Sequence, residues 1–224
     1  MPLDRAPQLA RKARVHIVAL GDVGTTMLIG LLLAGQDVIA SVGMCDINEK
    51  NLARLEMEMN QIRYPFAGQE GCPDPVLPAV TVVGEEDVFD CDVFIFCASK
   101  GVPPVGAGGD VRMAQLEANR SLIAHYAGLA RQAGFGGQVC IVSDPVDPLC
   151  RAFLTESGLH PAQIQGYGLG VMHARACYYA KKNPRFAHYL TEGRAFGPHG
   201  ADLVIADSLE DYDDALSREL TDLV

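Results

Sequence analysis

Short apolar runs alternate with longer amphipathic segments along most of the chain. The runs at 15–20, 37–44, 92–97 and 138–142 are rich in β-branched and aromatic residues, and they predict strands. The segments between them repeat apolar residues every three or four positions and predict helices, most clearly at 111–133. The runs are apolar throughout, which is typical of strands buried on both faces of a parallel sheet. The pattern therefore predicts an α/β fold with a doubly wound parallel sheet.

Composition and charge exclude several classes of protein. The 224 residues carry 18 basic and 28 acidic side chains, a net charge of −10, which argues against a nucleic-acid partner. The longest apolar run is too short to cross a bilayer, so we expect no membrane partner. The seven cysteines are scattered, with no CxxC pair, and the first residues lack the pattern of a secretory signal. These features favour a cytoplasmic protein without a metal site.

A glycine-containing turn directly follows the first predicted strand. The turn has Gly21 and Gly24 at the spacing of a dinucleotide-binding fingerprint, with Ala19 at the position of its first glycine. Asp46 ends the second predicted strand, where a carboxylate can bind a ribose hydroxyl and thereby favour NAD. The alternative interpretation of Asp46 is an N-cap of the following helix.

Five further motifs appear in the order found in one family. They are DVFIFCASKGVP from Asp92, RMAQLEAN from Arg112, VCIVSDPVD ending at Asp147, GYGLGVMHAR ending at Arg175, and GPHG around His199. In this order the chain resembles the lactate/malate dehydrogenase family over residues 15–205. The resemblance implies a Rossmann dinucleotide-binding domain over residues 1–146 and a partial α+β substrate domain over residues 147–224.

The resemblance also implies a cofactor, a substrate class and site residues. The cofactor is NAD and the substrate a small 2-oxo or 2-hydroxy acid. His199 matches the proton donor, Arg175 the residue that binds the substrate carboxylate, and Arg112 the residue that polarises the substrate carbonyl. The expected cofactor-binding residues are Gly21, Asp22, Val23, Gly24, Asp46, Ile47, Ala98, Asn119 and Ser143.

The chain departs from the family at catalytic positions. The aspartate that orients the family's histidine falls at Met172, and the asparagine of NPVD falls at Asp144. We hypothesise that Asp144 binds substrate and replaces the missing partner of His199; the alternative is a decayed site. Pro104 stands where the family recognises the substrate side chain, so the choice of hydroxy acid stays open.

The family also continues well beyond the equivalent of Val224. The chain is therefore expected to be a fragment or a shortened relative. A final helix over 211–223 would align Leu216, Leu220 and Leu223 on one face. With the following elements absent, this face is expected to be exposed and to favour a homo-oligomer.

Four interpretations of the function remain open. The chain is an NAD-dependent 2-hydroxy-acid dehydrogenase, a catalytically impaired NAD(H)-binding module of the same fold, a methyltransferase-like domain that shares only the glycine turn, or a structural protein without a ligand. Four further residues are given structural roles. His173 is expected to be structural, and Cys97, Cys140 and Cys177 are expected to be packed thiols.

Overall fold

The computed structural model describes residues 11–63, 77–100, 111–200 and 202–224, without the side chains of residues 111–113. Residues 1–10, 64–76, 101–110 and 201 lie outside this part of the chain. The helices and strands follow in this order: β1 (Ala13–Val18), α1 (Asp22–Ala34), β2 (Ile39–Cys45), α2 (Glu49–Asn60), β3 (Ala79–Val82), β4 (Val93–Phe96), α3 (Val111–Gln132), β5 (Gln138–Ile141), α4 (Val146–Ser157), β6 (Ile164–Gly166), α5 (Leu169–Lys182), β7 (Arg194–Phe196), β8 (Val204–Ala206) and α6 (Asp214–Leu223).

Six strands form one sheet in the order β3-β2-β1-β4-β5-β6. The pairs β1/β2, β1/β4, β2/β3 and β4/β5 are parallel. The chain moves outward from β1 to β3 and then returns to place β4 on the other side of β1. This reversal is the switch point at which α/β sheets of this order bind ligands, outside the carboxyl ends of their strands.

Both faces of the sheet are covered by apolar packing. In β4, Phe94 and Phe96 enter a cluster with α3 and α4, whereas Ile95 between them enters a second cluster that contains Leu28 of α1 and Leu52 of α2. Successive side chains of a strand point to opposite faces, so an entirely apolar strand requires two covered faces. The prediction of a doubly wound parallel sheet is confirmed.

The chain divides into two compact units. The first unit comprises the described residues up to Asp144 together with Leu149–Gln165, and the second comprises Pro145–Pro148 and Gly166–Val224. The short segment at 145–148 therefore groups with the later part of the chain. The predicted domain boundary after residue 146 stays a prediction.

The second unit packs its helices and a β-hairpin around a small core. β7 and β8 pair antiparallel. The core contains buried side chains from α5, α6, β8 and the short 3-10 helix at Pro184–Leu190; they are Met172, Ala176, Ala180, Phe186, Tyr189, Ile205 and Leu220. The strands β7 and β8 have only three residues each and are too short to show the alternation of apolar and polar residues that predicts a strand. This explains why the sequence does not predict them.

The expectation of an exposed leucine face on the last helix is wrong for most of that face. Leu220 is fully buried in the core of the second unit, and Leu216 packs against the same core. Leu223 alone of the three is exposed, at 42%. The face is covered from within the chain, so its leucines give no support to the predicted homo-oligomer.

Candidate functional site

The turn between β1 and α1 has the backbone geometry of a dinucleotide-binding loop. Ala19 has φ +69°, in the left-handed region that favours glycine, at the position where the fingerprint has its first glycine. A Cβ on Gly24 would lie 2.0 Å from the carbonyl oxygen of Ala19, so residue 24 must be glycine for α1 to pack this closely on β1. The left-handed backbone at Ala19 and the close approach at Gly24 explain why the sequence has the spacing of the dinucleotide-binding fingerprint.

Gly21 is the residue of this turn that leaves room for a ligand. It is the N-cap of α1, its φ of −71° suits any residue, and a Cβ there would meet nothing within 4 Å. No side chain of the cap residue bonds to the first N–H groups of α1. Backbone N–H groups at an uncapped helix N-terminus, beside open space, can bind a phosphate.

Asp46 is held at the carboxyl end of β2 by backbone groups. One carboxylate oxygen accepts from Leu20 N at 2.6 Å, and the other accepts from Asn48 N at 2.8 Å. Each oxygen keeps further acceptor capacity for a hydroxyl. The interpretation of Asp46 as an N-cap is wrong, because Asn48 caps α2 by accepting from Asn51 N at 3.1 Å.

Exposed apolar side chains stand beside the turn and beside Asp46. Val23 in the first turn of α1 is largely exposed, and Ile47 is fully exposed. Asp22 is also exposed, and Ala98 is buried just beyond β4. Exposed apolar surface next to a carboxylate and a helix N-terminus suits a dinucleotide, which carries both apolar rings and charged phosphates.

Asn119 connects the ends of β4 and β5 from a fully buried position. Its side-chain oxygen accepts from Lys100 N at 2.8 Å, and its amide nitrogen donates to Asp144 O at 3.1 Å. Ser143, also buried, donates from its hydroxyl to Phe96 O at 3.4 Å. Through these contacts Asn119 and Ser143 stabilise the loops at the carboxyl edge of the sheet. Their predicted contact with a cofactor stays a prediction.

His199 is held in the second unit by two neighbours that the sequence did not single out. Its backbone N–H donates to a carboxylate oxygen of Asp147 at 2.9 Å. Its side chain lies against Gly168, where an added Cβ would come within 2.8 Å of both Cβ and Nδ1 of the histidine. Asp147 is the last residue of the motif VCIVSDPVD, and Gly168 is the N-cap of α5.

Met172 has become part of the core. Its side chain is 4% exposed and packs in the cluster that contains Ala176, Phe186 and Leu220. A thioether accepts hydrogen bonds only weakly, so this side chain does not replace a carboxylate as partner for an imidazole. The position that the family uses for chemistry serves packing in this chain.

The remaining predicted residues are placed as follows. Arg175 is exposed on α5, and its guanidinium donates to the carbonyl oxygen of Val224. Arg112 lies in the first turn of α3, and its side chain is outside the described part, as is Pro104. Asp144 belongs to the first unit and His199 to the second, and their pairing stays a prediction.

The described residues contain no candidate metal site and no candidate membrane span. No group of three or more His, Cys, Asp or Glu side chains there could hold a metal ion. No helix in the same residues is both long and apolar enough to cross a bilayer.

The fold is an α/β fold of the Rossmann type, and comparisons with known proteins show which families share it. No protein-family model matches the chain. The chain is 24% identical over 191 residues to the L-lactate dehydrogenase of Mycoplasma pneumoniae, covering 85% of the chain. It is 25% identical over 190 residues to the L-lactate dehydrogenase of Bacillus velezensis, again covering 85% of the chain.

Solved structures of the same family share the fold. A lactate dehydrogenase from a Medee basin deep-sea metagenome library superposes with a TM-score of 0.70 at 21% identity, over 91% of this chain and 60% of that one. Malate dehydrogenase from Plasmodium falciparum gives 0.66 at 16% identity, over 94% and 63%.

These matches confirm the resemblance to the lactate/malate dehydrogenase family. The chain spans 57% and 56% of the length of the two curated relatives.

Proposed function

We propose that the first unit binds NAD(H) at the turn between β1 and α1. The observation that carries this proposal is the geometry at Ala19 and Gly24, where a left-handed residue and a forced close approach reproduce the fingerprint despite the alanine. The pyrophosphate would lie at the N-terminus of α1, beside Gly21. Asp46 would accept from a ribose hydroxyl and so favour NAD over NADP.

We further propose that the chain is the corresponding part of an NAD-dependent 2-hydroxy-acid dehydrogenase. NADH, when bound, supplies the hydride that reduces a 2-oxo acid. His199 would donate the proton to the carbonyl oxygen, a role of general acid that histidine often takes in enzymes. Arg175 would bind the substrate carboxylate through its planar guanidinium, and Arg112 would polarise the carbonyl.

A second candidate function follows from the packing of Met172. Met172 stands where the family has the aspartate that orients its histidine, and in hydrolytic triads the loss of such a carboxylate costs about 10⁴ in rate. The second candidate is a module that binds NAD(H) without turnover. Asp147 accepts from the backbone N–H of His199 and therefore helps to fix the position of this residue.

The two candidates are separated by following NADH oxidation with a panel of small 2-oxo acids that includes pyruvate and oxaloacetate. The dehydrogenase is supported by turnover that disappears in His199→Asn while NADH affinity is unchanged. NADH binding without turnover on any acid of the panel supports the binding module. Neither binding nor turnover would contradict both.

A further inference from the structure

We propose that Cys177 is a reactive thiol that exchanges with low-molecular-weight disulfides, with His173 as the base that takes its proton. The Sγ atom of Cys177 lies 3.6 Å from Nε2 of His173. Both residues lie on α5, four positions apart, so the helix backbone holds them on one face. The site lies within the second unit and is independent of the proposed dehydrogenase function.

Tyr189 orients the imidazole. Nδ1 of His173 lies 2.9 Å from the hydroxyl oxygen of Tyr189, and the two ring centroids are 5.5 Å apart. Burial raises the pKa of the Tyr189 hydroxyl to about 12, so it stays neutral at physiological pH. If Nδ1 carries the ring proton and donates it to this oxygen, the lone pair of Nε2 faces the thiol.

The orienting tyrosine is itself fixed in position. Tyr189 is fully buried in the core of the second unit. A Cβ on Gly193 would lie 2.1 Å from the Tyr189 ring, so the backbone at Gly193 packs directly against this ring. Nucleophile, base and a third group that orients the base form the arrangement that activates catalytic thiols.

The other described cysteines provide a contrast. Burial raises the pKa of the Cys91 thiol and of the Cys97 thiol to about 12, which leaves almost no thiolate at neutral pH. Cys177 is partly buried, as Cys97 is, but it lies beside an exposed histidine. Cys177 packs against the core of the second unit, as expected for a packed thiol, and it also contacts the imidazole of His173.

The exchange step balances without a further reactant. His173 takes the thiol proton, and the Cys177 sulfur attacks one sulfur of the small disulfide. The disulfide bond breaks as the new Sγ–S bond forms, and the departing thiolate takes the proton from His173. Cys177 is oxidised to a mixed disulfide, and one half of the small disulfide is reduced to a thiol.

The test follows modification of each cysteine by glutathione disulfide in the full chain, using peptide mass spectrometry over a range of pH. Cys150, which is also partly buried, is the internal reference in every sample. At pH 7 we expect Cys177 to react about tenfold faster than Cys150, and His173→Gln to remove this advantage. Tyr189→Phe keeps the packing but removes the hydroxyl, and we expect it to slow Cys177 to a smaller extent.

The pH profile separates activation from simple accessibility. With His173 as base, His173→Gln should slow the reaction of Cys177 more at about pH 7 than at about pH 9, where hydroxide can remove a thiol proton without a neighbouring base. Continued protection of the buried Cys91 in the variants shows that the fold is intact. Equal rates at Cys177 and Cys150, or an unchanged rate in a folded His173→Gln, would overturn the proposal.

Discussion

The turn after β1 and the start of α5 are two regions with family motifs, and they have diverged in different ways. In the turn, Ala19 replaces a glycine yet keeps the left-handed backbone. In α5, Met172 replaces an aspartate and its side chain has joined the core. Backbone geometry that the fold itself requires has been kept, whereas a side chain that only chemistry requires has been lost. The contrast separates the two candidate functions, because the turn bears on cofactor binding and Met172 bears on turnover.

The largest expected effect comes from Met172→Asp, which tests whether residue 172 is now a core position. A carboxyl group placed among apolar side chains lacks partners, and we expect a loss of about 4 kcal/mol in the free energy of unfolding. Urea unfolding followed by circular dichroism measures it. Met172→Leu is the matched control, with an expected cost below about 1.5 kcal/mol. A stable Met172→Asp protein with increased turnover would show that the site is only one residue from the family's chemistry.

Gly24→Ala tests the close approach in the turn. Its Cβ would overlap the carbonyl oxygen of Ala19, so the turn must shift, and we expect a loss of about 2–3 kcal/mol together with weaker NADH binding. Gly30→Ala, at an exposed helix position with open space, is the control and should be neutral or slightly stabilising. The interpretation fails if the two variants behave alike.

Asp92 lies at the amino end of β4. It tests whether a change at the amino edge of the sheet affects the stability of the fold alone. Hydrogen bonds from the Arg11 guanidinium and from Arg14 N lower the pKa of its carboxyl. A lowered pKa in the folded state stabilises the protein above the ordinary pKa of about 4, and this contribution is lost as pH falls through the lowered value.

We therefore expect Asp92→Asn to reduce the free energy of unfolding by about 1 kcal/mol at pH 7, with the difference shrinking below pH 4. NADH affinity should not change, because the residue lies at the opposite edge from the turn. Unfolding curves at several pH values check the sign. A difference that grows on acidification would contradict the assignment.

The smallest effect is expected for Ala19→Gly. Removing the Cβ from a left-handed position relieves strain of about 1–2 kcal/mol, partly offset by the greater freedom of glycine in the unfolded chain. We expect a net gain of about 0.5–1 kcal/mol and unchanged NADH affinity. Thermal unfolding measures the first and titration the second. A destabilised variant would show that the Ala19 side chain contributes more by packing than it costs in strain.

The sequence predicted the central strands of the sheet well because these strands are apolar on both faces. The same reasoning could not assign Met172, since a methionine in a helix gives no sign of whether it faces a core or a site. It also missed the contact of Asp147 with His199 N, because a bond between residues 52 positions apart depends on tertiary structure. Asn48 rather than Asp46 capped α2, as both residue types favour such positions and their spacing does not separate them.

The central claim is that the turn beside Gly21 binds NAD(H), and titration of NADH fluorescence tests it most directly. The chain contains no tryptophan, so the change in cofactor emission is free of energy transfer from that residue. We predict saturable binding to the wild-type chain and its loss in Gly21→Val, whose Cβ would meet nothing within 4 Å. No binding by the folded wild-type chain, or equal binding by Gly21→Val, would contradict the account.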